Sequence, residues 1–189
     1  MTHQSREDIV SARRWTSTSM PYLTPRAQGQ GDAWSADTAA QGRRGSQRIV
    51  HAGEVPAPAE VARLLGVPDG EPVVVRRRLI LLDDEPNELT DTYYPVAIAR
   101  GTPLAGTAKI RGGAVTLLAE LGHVGALVRE DVTAALPEEA EQQALRLGPT
   151  DPVLRLTRVT LDRDERPIQV DRMVMPAQRQ QLRYEIRIG

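Results

Sequence analysis

An internal repeat constrains the fold more than any other feature of this 189-residue chain. Residues 58–95, PAEVARLLGVPDGEPVVVRRRLILLDDEPNELTDTYYP, are followed about eighty residues later by PEEAEQQALRLGPTDPVLRLTRVTLDRDERPIQVDRMVMP, residues 137–176. Each copy has a helical pattern ending in Leu-Gly, an acid–proline pair that opens a strand, an acidic turn, and a return strand that ends at proline. We therefore predict two units of one helix and one β-hairpin.

The two copies carry matching features at matching positions. A helix commonly ends at a glycine because its last cap needs a left-handed residue. The matching pairs are Leu65-Gly66 with Leu147-Gly148, Asp83-Asp84-Glu85 with Asp164-Glu165, and Arg78 with Arg158. Hairpins place antiparallel strands side by side, so the two units can pair into one sheet with helices on a face. The predicted class is α+β, with a central antiparallel sheet and flanking helices.

Outside the repeat, local patterns define the rest of the domain. Residues 1–31 are rich in Ser, Thr, Arg, Gln and Gly, and we interpret them as a linker or arm with partial order around Trp15 and Tyr22. The domain is predicted to cover residues 32–189. Its other elements are a helix from Asp32 through Ala40, a strand in SQRIVHAGEVPAP, a helix in RGGAVTLLAELG, and strands in ALVREDVTAAL and QLRYEIRIG.

The first hairpin strand is apolar on both faces although three consecutive arginines lie in its middle. Alternation groups Val73, Val75, Arg77, Leu79 and Leu81 on one face, and Val74, Arg76, Arg78, Ile80 and Leu82 on the other. A strand buried on one side only would carry polar residues opposite its apolar face. We therefore expect the second face to be covered by a ligand, a partner subunit or more of the same chain.

Composition narrows the functional classes. Charge is balanced, with 24 basic and 25 acidic residues, so the whole chain has no electrostatic footprint for nucleic acid. Cysteine is absent, and no apolar run is long enough for a membrane span, so we expect a cytoplasmic protein. His3, His51 and His123 lack metal-ligand spacing, and no nucleophile elbow or P-loop is present. We predict no enzyme activity, metal site or cofactor.

Several ordered segments resemble a known family. They are LGVPDGEPVVVRRRLILLDDEP, TYYP, GGAVTLLAELG and EDVTAALPEEAEQQALRLGPTDPVLRLTRVTLDRDERPIQV, and together they resemble the UTRA effector-binding domain of GntR-type transcription regulators, HutC subfamily. The resemblance covers roughly residues 46–188. It implies a chorismate-lyase-like fold, a small-molecule site between the sheet and the helices, and a homodimer. Such regulators bind DNA through a winged helix-turn-helix, for which residues 1–31 are too short, so DNA contact is expected only through a module absent from this chain.

The resemblance also implies a set of ligand-binding positions. Members that bind sugar phosphates use two arginines on the first hairpin strand, a serine at the start of the central helix, an aromatic residue two positions later and an acid on each return strand. Only the first arginine has a match in this sequence, which is Arg78. The other matching positions hold neutral or apolar residues. The small-molecule effector is therefore expected not to be a sugar phosphate. The implied positions are Arg78, Ile80, Thr90, Thr92, Gly113, Val115, Gln169 and Met175.

We expect the three strand arginines to have different partners, because an unpaired buried guanidinium is costly. Arg77 should find an acidic partner near the sheet edge or extend past the flanking helix. Arg76 lies nearer the exposed start of the strand, where a solvated or interface role is expected. Arg78 should meet a carboxylate or other polar group of the effector, or else pair with Glu88 or Asp91.

Three functional interpretations follow from these observations. The first is a ligand-sensing regulatory domain that dimerises and communicates ligand occupancy to DNA-binding modules. The second is a structural dimerisation module without a ligand. The third is an enzyme of the chorismate-lyase type, for which no acid–base pair stands out. Binding of a metabolite without turnover separates the first from the other two.

Overall fold

The structure is a computed structural model that describes residues 14–27, 30–186 and 188. The strands are β1 (Trp15–Ser17), β2 (Gly45–Pro56), β3 (Pro72–Leu82), β4 (Glu85–Pro95), β5 (Leu127–Ala135), β6 (Val153–Leu161), β7 (Pro167–Pro176) and β8 (Gln180–Leu182). The helices are α1 (Met20–Leu23), α2 (Ala33–Ala40), α3 (Ala59–Leu65), α4 (Val96–Ala99), α5 (Ala114–Glu120) and α6 (Glu139–Leu145). His3 and the first 13 residues of the predicted arm lie outside the described residues.

The two predicted hairpins form the centre of one antiparallel sheet. Its six strands lie in the order β2-β3-β4-β7-β6-β5. Hairpin β3–β4 meets hairpin β6–β7 through β4 and β7, which pair from Leu89 opposite Val174 to Tyr93 opposite Val170. Strands β2 and β5 add one further strand at each edge. The α+β prediction with a central antiparallel sheet is confirmed, and so is the helix-plus-hairpin repeat.

The two repeated helices end differently, although the sequence predicts a Leu-Gly end for both. Helix α3 ends as predicted, with Gly66 in the left-handed region at φ 69°. Helix α6 ends two residues earlier than predicted, and its left-handed cap is Arg146 at φ 55°. Arg146 occupies the position that Gly66 has in the first copy. The prediction for Leu147-Gly148 was wrong. The second helix ends at the same position of the repeat as the first helix does, and that position holds arginine instead of glycine.

Both apolar faces of β3 are covered by the same chain. Val73 and Val75 pack with Val61 and Leu65 of α3. Val74, on the opposite face, packs with Leu118 of α5 and with the loop that follows α4. The expectation that the second face is covered is confirmed, and the chain itself supplies this part of the cover. The apolar second face of β3 therefore gives no support to a subunit interface.

Residues 15–26, called here the N-terminal strap, pack against the sheet. Strand β1 runs parallel to β8, with Trp15 opposite Gln180. Trp15 is only 1% exposed, and its ring meets Trp34 edge-to-face with centroids 5.1 Å apart. The strand predicted over residues 181–189 is shorter than expected, because only β8 pairs at this end of the described chain. The two short strands thus hold the strap to the segment that follows β7.

The different helix ends generate a stability prediction. A Cβ on Gly66 would meet open space, so Gly66→Ala is penalised only through its left-handed backbone. We expect this change to lower the free energy of unfolding by about 1 kcal/mol in urea denaturation. Gly148 lies outside the left-handed region, and Gly148→Ala is the matched control with a much smaller loss. Equal losses at both positions would contradict the assignment of the cap to Gly66.

Candidate ligand-binding site

A cavity of about 170 Å³ lies between the sheet and the N-terminal strap. Side chains of β3, β4 and β7 form its floor. The strap, the start of α2 and the start of α5 form its walls. The side chains that define it are Trp15, Tyr22, Arg26, Trp34, Arg76, Arg78, Ile80, Glu88, Thr90, Thr92, Tyr94, Val115, Arg158, Gln169, Asp171 and Met173. The cavity therefore combines aromatic and aliphatic surface with several charged groups, which is typical of small-molecule sites.

Seven of the eight predicted ligand-binding positions line this one cavity. They are Arg78, Ile80, Thr90, Thr92, Gly113, Val115 and Gln169. Met175 does not line it and packs instead in a buried cluster with Leu156 and Leu182. Met173, two residues earlier on the same face of β7, takes the expected place. Two residues along a strand move a side chain by about 7 Å. Met175 therefore lies outside the cavity, in the cluster that includes Leu182 of β8.

A chain of hydrogen bonds crosses the floor of the cavity. Arg78 donates from Nη2 to the Thr92 hydroxyl at 2.9 Å, and that hydroxyl donates to Asp171 at 2.7 Å. Gln169 donates to the second oxygen of Asp171, also at 2.7 Å. Asp171 is 3% exposed, so these donors compensate much of the cost of burying its charge.

Sequence reasoning did not place the two carboxylates of the floor among the ligand-binding positions, and named Glu88 only as a possible partner of Arg78. It looked for the acids of the return strands at Thr90 and Gln169, which are neutral. The structure places Glu88 and Asp171 in the cavity, each two residues away from the expected position and on the same face of its strand. The period-two alternation of strands could have found them. The acids of the site are thus shifted along the strands rather than lost.

Arg76 is buried, and the expectation of a solvated or interface role was wrong. Its guanidinium donates to the backbone carbonyls of Pro103, at 3.0 Å, of Gly106, and of Ala108, at 3.2 Å. Burial lowers the pKa of Arg76 below its usual value. These carbonyls belong to the loop after α4, which folds over the start of β3. The loop position depends on tertiary contacts and left no signal in the local sequence.

Arg77 and Arg78 differ in their partners. Arg77 points to the opposite face and pairs with Asp91 at 3.2 Å, which confirms the expected acidic partner. Arg78 has no ion pair among the described residues, so the alternative pairing with Glu88 or Asp91 is not formed. Its Nε is buried without a hydrogen-bond partner. Arg78 therefore has an N–H donor in the cavity floor that no described group accepts.

The repeat partner of Arg78 is fully engaged. Arg158 pairs with Glu130 at 2.6 Å and also donates to the hydroxyl of Ser19 in the strap at 3.1 Å. Glu130 lies directly opposite Arg158 on the neighbouring strand β5, whereas Ile49 of β2 lies opposite Arg78. A cross-strand neighbour thus neutralises one arginine of the repeat and leaves the other without an acid.

Burial also affects two ionisable groups of β4 that line the cavity. It raises the pKa of the Glu88 carboxyl, which accepts a hydrogen bond from Thr90. It also raises the pKa of the Tyr94 hydroxyl, which faces the nearby charge of Asp171. Within the described residues, no group of His, Asp and Glu side chains has an arrangement that could hold a metal ion. No helix in the described part of the chain is long and apolar enough to cross a membrane.

The family of the chain follows from its sequence. A model of the UTRA domain matches residues 40–181, which is most of the chain. The chain therefore belongs to the UTRA domain family.

Individual relatives agree with this assignment. The chain is 34% identical over 134 residues to the HTH-type transcriptional regulator SCO4628 of Streptomyces coelicolor, which covers 68% of this chain and 49% of that relative. The chain thus spans about half the length of this curated relative.

Solved structures share the fold. The effector domain of PhnF from Mycobacterium smegmatis superposes with a TM-score of 0.71 at 22% identity, covering 87% of this chain and 99% of that domain. The ligand-binding domain of a GntR-family transcriptional regulator from Bordetella bronchiseptica gives 0.65 at 26% identity, covering 76% and 92%. These similarities confirm the predicted α+β architecture.

The environment of Glu88 generates a pH prediction. Because its pKa is raised, the folded protein binds this proton more tightly than the unfolded chain does. The resulting stabilisation is complete below the ordinary glutamate pKa of about 4.3 and is lost as pH rises through the raised value. Glu88→Gln cannot ionise. Its free energy of unfolding relative to wild type should therefore increase from about pH 4 to about pH 8 in urea titrations.

Glu120→Gln, at the exposed end of α5, is the control and should follow wild type across the same range. A constant difference between Glu88→Gln and wild type at all pH values would show that burial does not perturb Glu88.

Proposed function

We propose that this chain is the effector-binding and dimerisation domain of a GntR-family transcription regulator of the HutC subfamily. A small molecule bound in the cavity would modulate DNA binding by a separate helix-turn-helix module, and the protein would act in the cytoplasm. The observation that carries the proposal is the cavity under the strap, whose floor contains Arg78 with a buried Nε that no described group satisfies. Buried donors are almost always paired in native proteins, so an unmatched one beside a cavity indicates a ligand.

The lining also argues against a sugar phosphate as the effector. Ile80, Gly113 and Val115 occupy positions where an anion-binding arginine, a serine and an aromatic side chain would be needed. Aromatic surface comes instead from Trp34, Tyr22 and Tyr94. A molecule with an apolar or aromatic body and a polar head group fits this lining better than a phosphorylated sugar.

A thermal-shift screen of a bacterial metabolite library tests ligand binding directly. A ligand that binds only the folded protein raises the melting temperature by mass action. For the ligand found, Arg78→Met should weaken binding about thirtyfold or more by calorimetry, which corresponds to about 2 kcal/mol. Arg77→Met, one residue along on the opposite face, is the matched control. If no metabolite binds, the domain is a ligand-free dimerisation module instead.

The homodimer is proposed from the edge strand β5. This strand pairs only with β6, so its other edge has unpaired backbone groups within the described sheet. Leu127, Val132 and the following Leu136 are exposed. An exposed edge with apolar side chains is a site where a second strand can add, and here we propose β5 of a second copy.

Light scattering should give about twice the chain mass of 20.7 kDa at micromolar concentration. Val132→Lys should shift this mass towards the monomer, because a lysine would be buried at the interface. Val50→Lys is the matched control, since Val50 is exposed on the opposite edge strand β2. A clean monomer mass for the wild type would contradict the proposal, and dissociation by the control instead would move the interface to β2.

A further inference from the structure

The N-terminal strap crosses the cavity and is tied to four different parts of the domain. The backbone N–H of Trp15 donates to the carbonyl of Arg179 at 2.7 Å. The Ser19 hydroxyl donates to Glu130 on β5 at 3.0 Å. Tyr22 donates to Asp37 of α2 at 2.8 Å, and the backbone N–H of Arg26 donates to the Thr116 hydroxyl of α5 at 3.0 Å. The strap therefore connects the edge strand β5, the segment after β7 and two helices, and anything that binds under it lies against this segment.

The charged side chains of the cavity are not balanced by ion pairs. Arg158 is paired with Glu130, and Asp32 is paired with Lys109 at 2.9 Å. Across the described residues, three lining cations have no carboxylate partner and two lining carboxylates have no cationic partner. The cations are Arg26, Arg76 and Arg78, and the carboxylates are Glu88 and Asp171. The excess charge is positive, which favours an anionic occupant.

The hydrogen-bonding atoms of the lining that have no partner also favour an anionic occupant. The buried side-chain atoms of the lining that have no partner in the described structure are Nε1 of Trp15, Nε of Arg26, Nε of Arg78 and Oε1 of Gln180. Three of these four atoms are donors. Trp15 itself is 1% exposed, so its indole N–H is shielded from bulk solvent. The unmatched atoms beside the cavity are therefore mostly donors, which favours an occupant with acceptor oxygens.

We infer that the cavity binds an anionic effector, and that Arg26 of the N-terminal strap contributes to holding its negatively charged group together with Arg78 of β3. Arg76 is not assigned this role because its Nη1 and Nη2 groups already donate to three backbone carbonyls. The inference rests on the proposed function. It adds that the ligand is negatively charged and that Arg26 contacts the charged group. Binding would fasten the strap through Arg26, so the occupied and empty domains would differ in how tightly residues 15–26 are held.

Matched acids and amides test the charge. Benzoate, phenylacetate, indole-3-acetate and 4-phenylbutyrate are compared with their primary amides, which keep the shape and lose the charge. Phenyl phosphate distinguishes a carboxylate from a phosphate head group. We expect at least one acid to raise the melting temperature of the wild type while its amide does not. An equal shift by acid and amide, or no shift by any acid, would overturn the anionic class.

Variants of Arg26 test its role with the acid that binds. Arg26→Met should weaken binding on the order of tenfold or more, because a charge-assisted contact is lost. Arg26→Lys keeps the charge and should restore part of the affinity. Arg63→Met, at an exposed arginine of α3 outside the cavity, is the control. Circular dichroism of each unliganded variant confirms that it is folded, and unchanged affinity in folded Arg26→Met would overturn the role of Arg26.

The two levels of proposal fail in different ways. A neutral metabolite that binds in an Arg78-dependent manner would overturn the anionic class and leave the effector-binding function standing. Failure of the acids and of the whole metabolite library would remove both.

Discussion

The antiparallel pairing of β4 with β7 is the contact on which the rest of the structure depends. A lone two-stranded hairpin is marginally stable in water. The pairing of β4 with β7 joins the halves β2-β3-β4 and β7-β6-β5 into one six-stranded sheet. The pairing also brings Thr92 opposite Asp171, and the hydrogen bond between them allows a carboxylate to be buried in the middle of the sheet. Because the cavity floor is made of β3, β4 and β7, the same pairing that completes the fold also completes the site.

The two repeated hairpins are nearly symmetric in the sheet, and the different edge strands β2 and β5 make the site asymmetric. Arg78 and Arg158 are equivalent in the two hairpins, yet Glu130 lies opposite Arg158 and Ile49 lies opposite Arg78. One arginine is therefore neutralised by the protein, and it helps to anchor the strap through Ser19. The other has only a hydroxyl partner and faces the cavity. Glu130 on one edge strand makes Arg158 a structural residue. Ile49 on the other edge strand leaves Arg78 available to a ligand.

The N-terminal strap has two roles in this arrangement. Its aromatic side chains close the cavity, and its backbone is tied to the segment after β7 and to α5. Because the strap both lines the cavity and is bonded to other elements, a bound molecule can affect the position of the N-terminal residues. The proposed regulatory function requires such a link, because a ligand shifts an equilibrium only through contacts that differ between two states.

Local sequence determined the elements and much of their order. Alternation assigned the two faces of β3 and glycine marked the end of α3, because these signals act over a few residues. The repeat predicted two helix-and-hairpin units that can pair into one sheet. Resemblance placed Arg78, Thr92 and Gln169 at one site, and the structure brings them into one cavity. Only tertiary structure decided that Arg76 is capped by the loop after α4, that Glu88 and Asp171 supply the acids, and that Met175 lies beneath β8. Each of these depends on which distant segment covers a given stretch of strand, and no local pattern encodes that choice.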